Sequence, residues 1–213
     1  MFLSDRDIKF ALQNQQLIVI PPPAKIDTCS FDVHLDKIEQ AKVWNVKKYE
    51  EMQSQCGGDR YLGVGSPTYS HQKFHDEYGM PIPVKRDVKD VAPKALVYVD
   101  GEKVVVEPGG FFLWQTKEAI GTPEIDPRFI CFINGKSTRA RAGLLVHMTA
   151  PTIEAGWWGN VVLEICNLGP FVLSLKEDDR IAQITVAAIS CFPEKKKDDT
   201  GIAIGQSSVG GRK

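Results

Sequence analysis

From Val97 to Ile189 the chain is a succession of short apolar runs broken by Gly, Pro and Asp, and this pattern limits the fold more than any other feature. Val97-Tyr98-Val99 and Val104-Val105-Val106 flank Asp100-Gly101, a strong β-hairpin signal because glycine supplies the positive φ that a tight turn requires. Further strand-like runs follow at 111–116, 129–133, 144–148, 161–166, 171–175 and 181–189. Strands this short and closely spaced predict a mainly β fold of sandwich, jelly-roll or barrel type. The exception is 137–142, Ser-Thr-Arg-Ala-Arg-Ala, which lacks alternation and suits a short helix after Gly135.

Upstream, Ser4 is placed to cap a short amphipathic helix with Asp5 and Asp7 in its first turn and Ile8, Ala11 and Leu12 on one face. Pro21, Pro22 and Pro23 end regular pairing, and Phe31-Asp32-Val33-His34-Leu35 alternates as a half-buried strand does. Residues from 40 to about 97 are polar, carry many Gly and Pro, and show little periodicity, which predicts an insertion into an otherwise single domain spanning 1–213. The tail at 194–213, with a Lys run and then Gly and Ser, is expected to be mobile unless a ligand orders it.

Charge excludes some functions. The 26 Lys+Arg against 27 Asp+Glu lack the basic excess that gripping nucleic acid or an anionic membrane would need. Five scattered cysteines with no C-x-x-C pair argue against a disulfide scaffold. The opening MFLSDRDIKF has charges where a signal peptide needs an apolar run, and no stretch approaches the roughly 20 apolar residues of a membrane span, so a soluble cytoplasmic protein is expected.

Among residues that could carry chemistry, Ser137 and Arg141 would share one helix face, and Lys136, Ser137 and the amides at the helix start would suit a phosphate. A solvated basic helix explains the spacing equally well. Glu164 interrupts the apolar run Val161-Val162-Leu163-Glu164-Ile165-Cys166; it is either at a sheet edge facing water, the simpler explanation, or held in a site as a base. His147 reads as a proton shuttle or, more simply, a satisfied core or interface histidine. His71 and His75 have helical metal spacing but no completing ligands, and are expected to be a solvated pair. Trp157 and Trp158 read as packing residues, with a nucleobase platform as the lesser alternative.

The run 135–164, GKSTRARAGLLVHMTAPTIEAGWWGNVVLE, resembles the dCTP deaminases, whose signature reads approximately GRSSLAR-x-GL, then H-x-TA, then IDPGW-x-G and a strand ending in LE. LSDRDI, SFDVHL and DDRIAQI resemble the same superfamily, which also holds the trimeric dUTPases. The resemblance implies a distorted jelly-roll, dUTPase-like fold, a homotrimer or hexamer with each site built between subunits, and zinc-independent hydrolysis of dCTP to dUTP and ammonia within pyrimidine deoxynucleotide metabolism. The H-x-E and P-C-x-x-C pattern of zinc deaminases is indeed missing from the chain. It further implies Glu164 as general base, Ser137 and Arg141 orienting the water, and Lys136, Ser137 and Thr138 on the phosphates with Mg²⁺ carried by the triphosphate. Main chain at Thr149, Ala150, Val162, Leu163 and Glu164 would read the base, with Glu154 near the sugar, Gln206 in a C-terminal lid, and dTTP or dUTP as candidate inhibitors.

Some positions depart from that pattern. Lys136 stands for the usual arginine, Arg139 for an apolar residue and Glu154 for aspartate, and of the lid only Gln206, Val209 and Arg212 keep matching spacing. The rival readings are a dUTPase, or a bifunctional enzyme giving dUMP and diphosphate. Glu154 and Trp157 at dUTPase-critical positions, and Pro151-Thr152 where bifunctional members carry glycine and tryptophan, favour the monofunctional deaminase. A catalytically silent nucleotide-binding protein on the same scaffold is a third reading.

Overall fold

The computed structural model describes residues 1–56, 62–67, 69–88 and 95–194. In chain order its strands are β1 (Ile18–Ile20), β2 (Ser30–His34), β3 (Lys42–Trp44), β4 (Gly79–Pro81), β5 (Val97–Asp100), β6 (Lys103–Val106), β7 (Phe111–Gly121), β8 (Phe129–Gly135), β9 (Leu144–Leu145), β10 (Thr152–Ile153), β11 (Trp158–Asn167), β12 (Leu173–Leu175) and β13 (Arg180–Ala188). They form three antiparallel sheets, ordered β4-β3-β7-β11-β9 with β1 also on β7, β10-β8-β13-β2, and β12-β6-β5. One apolar core joins all three, from Phe112, Trp114 and Leu163 to Phe31, Ile133 and Ile184 and to Val104 and Val106. No helix among the described residues is long and apolar enough to cross a membrane.

Local chemistry explains the elements that the sequence predicts. Ser4 caps the helix Asp5–Gln13 in a reciprocal capping box with Asp7, burying Ile8 and Ala11. The hairpin turns at Gly101, with φ +65°, and pairs Asp100 with Lys103. β2 buries Phe31 and Val33 and leaves Asp32 and His34 on the other face.

Strand β7 runs past the predicted limit of 116 to Gly121 because it is buried along almost its whole length, polar positions included. Among those polar groups, Gln115 Nε2 donates to Asp36 Oδ2 at 2.7 Å. Glu118 accepts from the His34 amide at 2.9 Å and lies 2.7 Å from His34 Nδ1. Between the pairs Asn160↔Ala119 and Val162↔Gln115 the β7–β11 ladder is bulged. The fully buried Thr116 hydroxyl donates to the Glu118 carbonyl at 2.7 Å and accepts from the Val161 amide at 2.9 Å, while Asn160 Nδ2 donates to the Thr116 carbonyl at 2.9 Å. The bulge is thus a hydrogen-bonded feature that sets the register of β11.

Between residues 40 and 97, where little periodicity is legible, the described residues form β3, β4 and two helices, Val46–Cys56 and His71–Tyr78. β3 joins the main sheet through Lys42↔Leu113. Aromatic contacts hold the helices: Trp44–Phe74 at 5.0 Å, Phe74–Tyr78 at 4.9 Å and Tyr49–Tyr78 at 5.4 Å between ring centroids. The expectation of a solvated His71 and His75 pair is corrected for His75, whose side chain is only 14% exposed. Its ring lies 6.0 Å from Trp44, and neither ring nitrogen has a hydrogen-bond partner among the described residues. Beyond residue 194 the tail, with Gln206, Val209 and Arg212, lies outside the described residues.

Two outcomes follow. Thr116→Val keeps the shape but strands the Val161 amide and the Glu118 carbonyl, and should cost about 1–3 kcal/mol in urea unfolding; an unchanged midpoint would show that the hydroxyl does not hold the bulge. Burial lowers the His75 pKa from its usual 6.5, with His71 and Lys42 adding to that and Asp76 opposing it. The unfolded chain therefore takes up the proton first, and stability should fall as the pH drops below about 6.5. In His75→Gln the drop in Tm between pH 7.5 and 5.5 should be smaller than in the parent; equal slopes would refute the assignment.

Candidate active site

Glu164 sits on β11, opposite Leu113 of β7. On its other side β11 meets β9 only at Cys166↔Leu145 and Asn167↔Leu144. The chain after Leu145 leaves this ladder and opens a notch, and there the Glu164 carboxylate takes the place of a strand partner. Its Oε2 accepts from the Met148 amide at 3.3 Å and lies 3.4 Å from His147 Nδ1. β11 lies between β7 and β9 in the sheet, but at Glu164 its β9 side is unpaired, so both sequence readings meet there: the carboxylate is 34% exposed and stands beside a histidine only 12% exposed. A half-buried carboxylate fixed on one oxygen, with an imidazole at its side, can take a proton from water and pass it on. His147 is thus in contact with the candidate base.

The second group lies where β8 ends. Lys136 precedes the short helix Ser137–Ala140, in which the amides of Arg139 and Ala140 both donate to the Lys136 carbonyl at 3.0 Å. The Arg141 amide reaches the Ser137 carbonyl at 3.2 Å, so the two residues are one helical turn apart in the backbone. Ser137, Thr138 and Arg141 are exposed, and their side chains make no hydrogen bond or ion pair with the described residues. Lys136 is different. Its ammonium is paired with Asp32 Oδ1 on β2, and Asp32 Oδ2 is 3.4 Å from Arg180 Nη1 on β13. Asp32 and Arg180 stand in the motifs SFDVHL and DDRIAQI, but Asp32 is 104 residues from Lys136 and 148 from Arg180 in the chain, a meeting that local sequence cannot reveal.

Thr149 and Ala150 are exposed between β9 and β10, and Val162 and Leu163 lead along β11 to Glu164. Glu154 is exposed, and its carbonyl accepts from the Trp157 amide at 3.2 Å. Trp157 is a core residue at 8% exposure, which agrees with packing. Among the described residues no hydrogen bond or ion pair joins Glu164 and His147 to Lys136, Ser137 or Arg141.

The arrangement can be set beside known proteins. Residues 71–189 match the family described as dCTP deaminase-like. The chain is 30% identical over 201 residues to the dCTP deaminase of Wigglesworthia glossinidia brevipalpis, covering 92% of this chain and 91% of that one. It is 29% identical over 195 residues to the dCTP deaminase of Thermomicrobium roseum, covering 89% and 81%. Among solved structures, the 2′-deoxycytidine 5′-triphosphate deaminase of Agrobacterium tumefaciens superposes with a TM-score of 0.54 at 16% identity, over 89% of this chain and 49% of that longer one. That likeness establishes the fold.

If His147 steadies the Glu164 carboxylate and its proton, His147→Phe should lower turnover of the physiological substrate at least about tenfold while substrate affinity changes little. Unchanged kcat would reduce the histidine to packing.

Proposed function

This chain belongs to the dCTP deaminase-like family, and from that premise we propose that it hydrolyses dCTP to dUTP and ammonia, supplying dUTP to pyrimidine deoxynucleotide metabolism in the cytoplasm. The observation that carries the reading is the Glu164 carboxylate, held by the Met148 amide and flanked by His147 in the notch between β9 and β11. In the proposed mechanism Glu164 takes a proton from water, the resulting hydroxide adds to C4 of cytosine, and the proton passes to ring N3. A second proton transfer to the 4-amino group lets ammonia leave as the C4 carbonyl forms, so that water and dCTP balance dUTP and ammonia. Zinc has no part in this scheme. Ser137 and Arg141 orient the water and stabilise the charge that develops on it.

Lys136, Ser137 and Thr138 bind the phosphates; the main chain at Thr149 and Ala150 and along Val162, Leu163 and Glu164 reads the base; Glu154 faces the sugar. Magnesium prefers phosphate oxygens and water, and Asp32, the carboxylate beside Lys136, already has cations on both oxygens. The residues therefore fit a magnesium ion that arrives on the triphosphate, where it neutralises phosphate charge. Within one chain the base group and the helix 137–140 are not bonded to each other, which supports a homotrimer in which one subunit's Glu164 works with a neighbour's Ser137 and Arg141.

Glu164→Gln should abolish ammonia release from dCTP, by at least about a hundredfold, while nucleotide binding persists; near-normal turnover in that variant would remove Glu164 as the base. Ion-exchange separation of the parent's products should show dUTP accumulating, whereas dUMP with diphosphate would establish the bifunctional reaction instead.

A further inference from the structure

Asp32 gathers positive charge from two strands. The β8–β13 ladder ends at Gly135↔Ala182, so Lys136 and Arg180 leave it close together, and β2 brings Asp32 between them. Lys136 takes one carboxylate oxygen and Arg180 Nη1 the other, at 3.4 Å. The Lys25–Asp27 pair, at 2.6 Å, borders the same group and interacts electrostatically with Lys136 and Arg180. Three cations thus face two carboxylates, an excess of positive charge at the start of the helix that carries Ser137.

The exposures divide the roles. Asp32 is 18% exposed and Lys136 24%, but Arg180 is 66% exposed and makes no other hydrogen bond or ion pair among the described residues. A single long contact to an exposed guanidinium contributes little to folding. What it does is park a planar five-donor fork beside Lys136, with most of its donors unused.

We propose that Arg180 is a further phosphate-binding residue of the nucleotide site. Its guanidinium and the Lys136 ammonium, both positioned by Asp32, clamp the triphosphate, and Arg180 supplies the bidentate fork that a lysine at 136 cannot. The assignment rests on the reading of Lys136 as the phosphate arm of a deaminase. Asp32 is a positioning residue here, since it acts through the two cations.

The test uses the full chain with Arg180→Gln and Arg180→Lys, measured in two ways: steady-state kinetics with dCTP, and calorimetric binding of inorganic tripolyphosphate, which has no base or sugar. Arg180→Gln should raise KM for dCTP about tenfold with kcat nearly unchanged, weaken tripolyphosphate binding by a similar factor and leave Tm where it was. Arg180→Lys should recover part of both. Unchanged KM and unchanged tripolyphosphate affinity would overturn the proposal and leave a surface ion pair. An equal loss of kcat and Tm without a change in tripolyphosphate binding would also overturn it. If the parent fails to deaminate dCTP yet binds tripolyphosphate in an Arg180-dependent way, the deaminase reading falls and the clamp stands.

Discussion

Strand β11 has to carry two obligations at once: it is hydrogen-bonded to β7 along most of its length, and it must hold a carboxylate in reach of solvent. A flat, regular ladder would fix which residues of β11 alternate into the core from Trp158 to Asn167. At the bulge the extra residues, 116–118, lie on β7, so β11 keeps one alternation through it, and the bulge persists because Thr116 and Asn160 satisfy the backbone groups that it frees. Downstream of the bulge Leu163 and Ile165 are fully buried while Glu164, between them, points to the other face. The Thr116 hydroxyl thus anchors β11 at Val161, three residues before the candidate base.

The motif run from Gly135 to Glu164 crosses between sheets. Lys136 follows β8 of the four-stranded sheet, whereas Leu144 and Leu145 pair with β11 of the six-stranded one. The crossing is made at Gly143, with φ +93°, where an added Cβ would come within 2.2 Å of the Gly169 amide nitrogen. Glycine is required here by backbone conformation and by close approach alike. The cation group and the base group thus belong to different sheets although they are neighbours in sequence.

Where burial is periodic, the sequence announces the fold. The alternation in β2, the Asp100-Gly101 turn and the Ser4 cap each depend on residues within a few positions of one another, and the structure follows them. β7 is legible only to Thr116, because the partners of Lys117 and Glu118 come from far along the chain, Asp178 from the turn between β12 and β13 and His34 from β2. The helices Val46–Cys56 and His71–Tyr78 escaped because they pack through Tyr49, Phe74 and Tyr78 instead of an aliphatic stripe. The site divides in the same way. Lys136, Ser137, Arg141 and Glu164 stand in a recognisable order, but the partners that fix their geometry, Asp32, Arg180 and the Met148 amide, are contributed by the topology.

The two charged groups are held in ways that suit different chemistry. A general base must present one oxygen in a constant direction, and Glu164 is fixed by a backbone amide and a histidine inside a strand notch, where side-chain freedom is small. A phosphate clamp needs charge density and tolerance of a flexible ligand, and Lys136 and Arg180 are long side chains sharing one carboxylate across the ends of two strands. Asp32 opposes the mutual repulsion of the two cations by pairing with both. In the proposed clamp this pairing holds the two cations side by side before the triphosphate arrives, so that less ordering is left to binding.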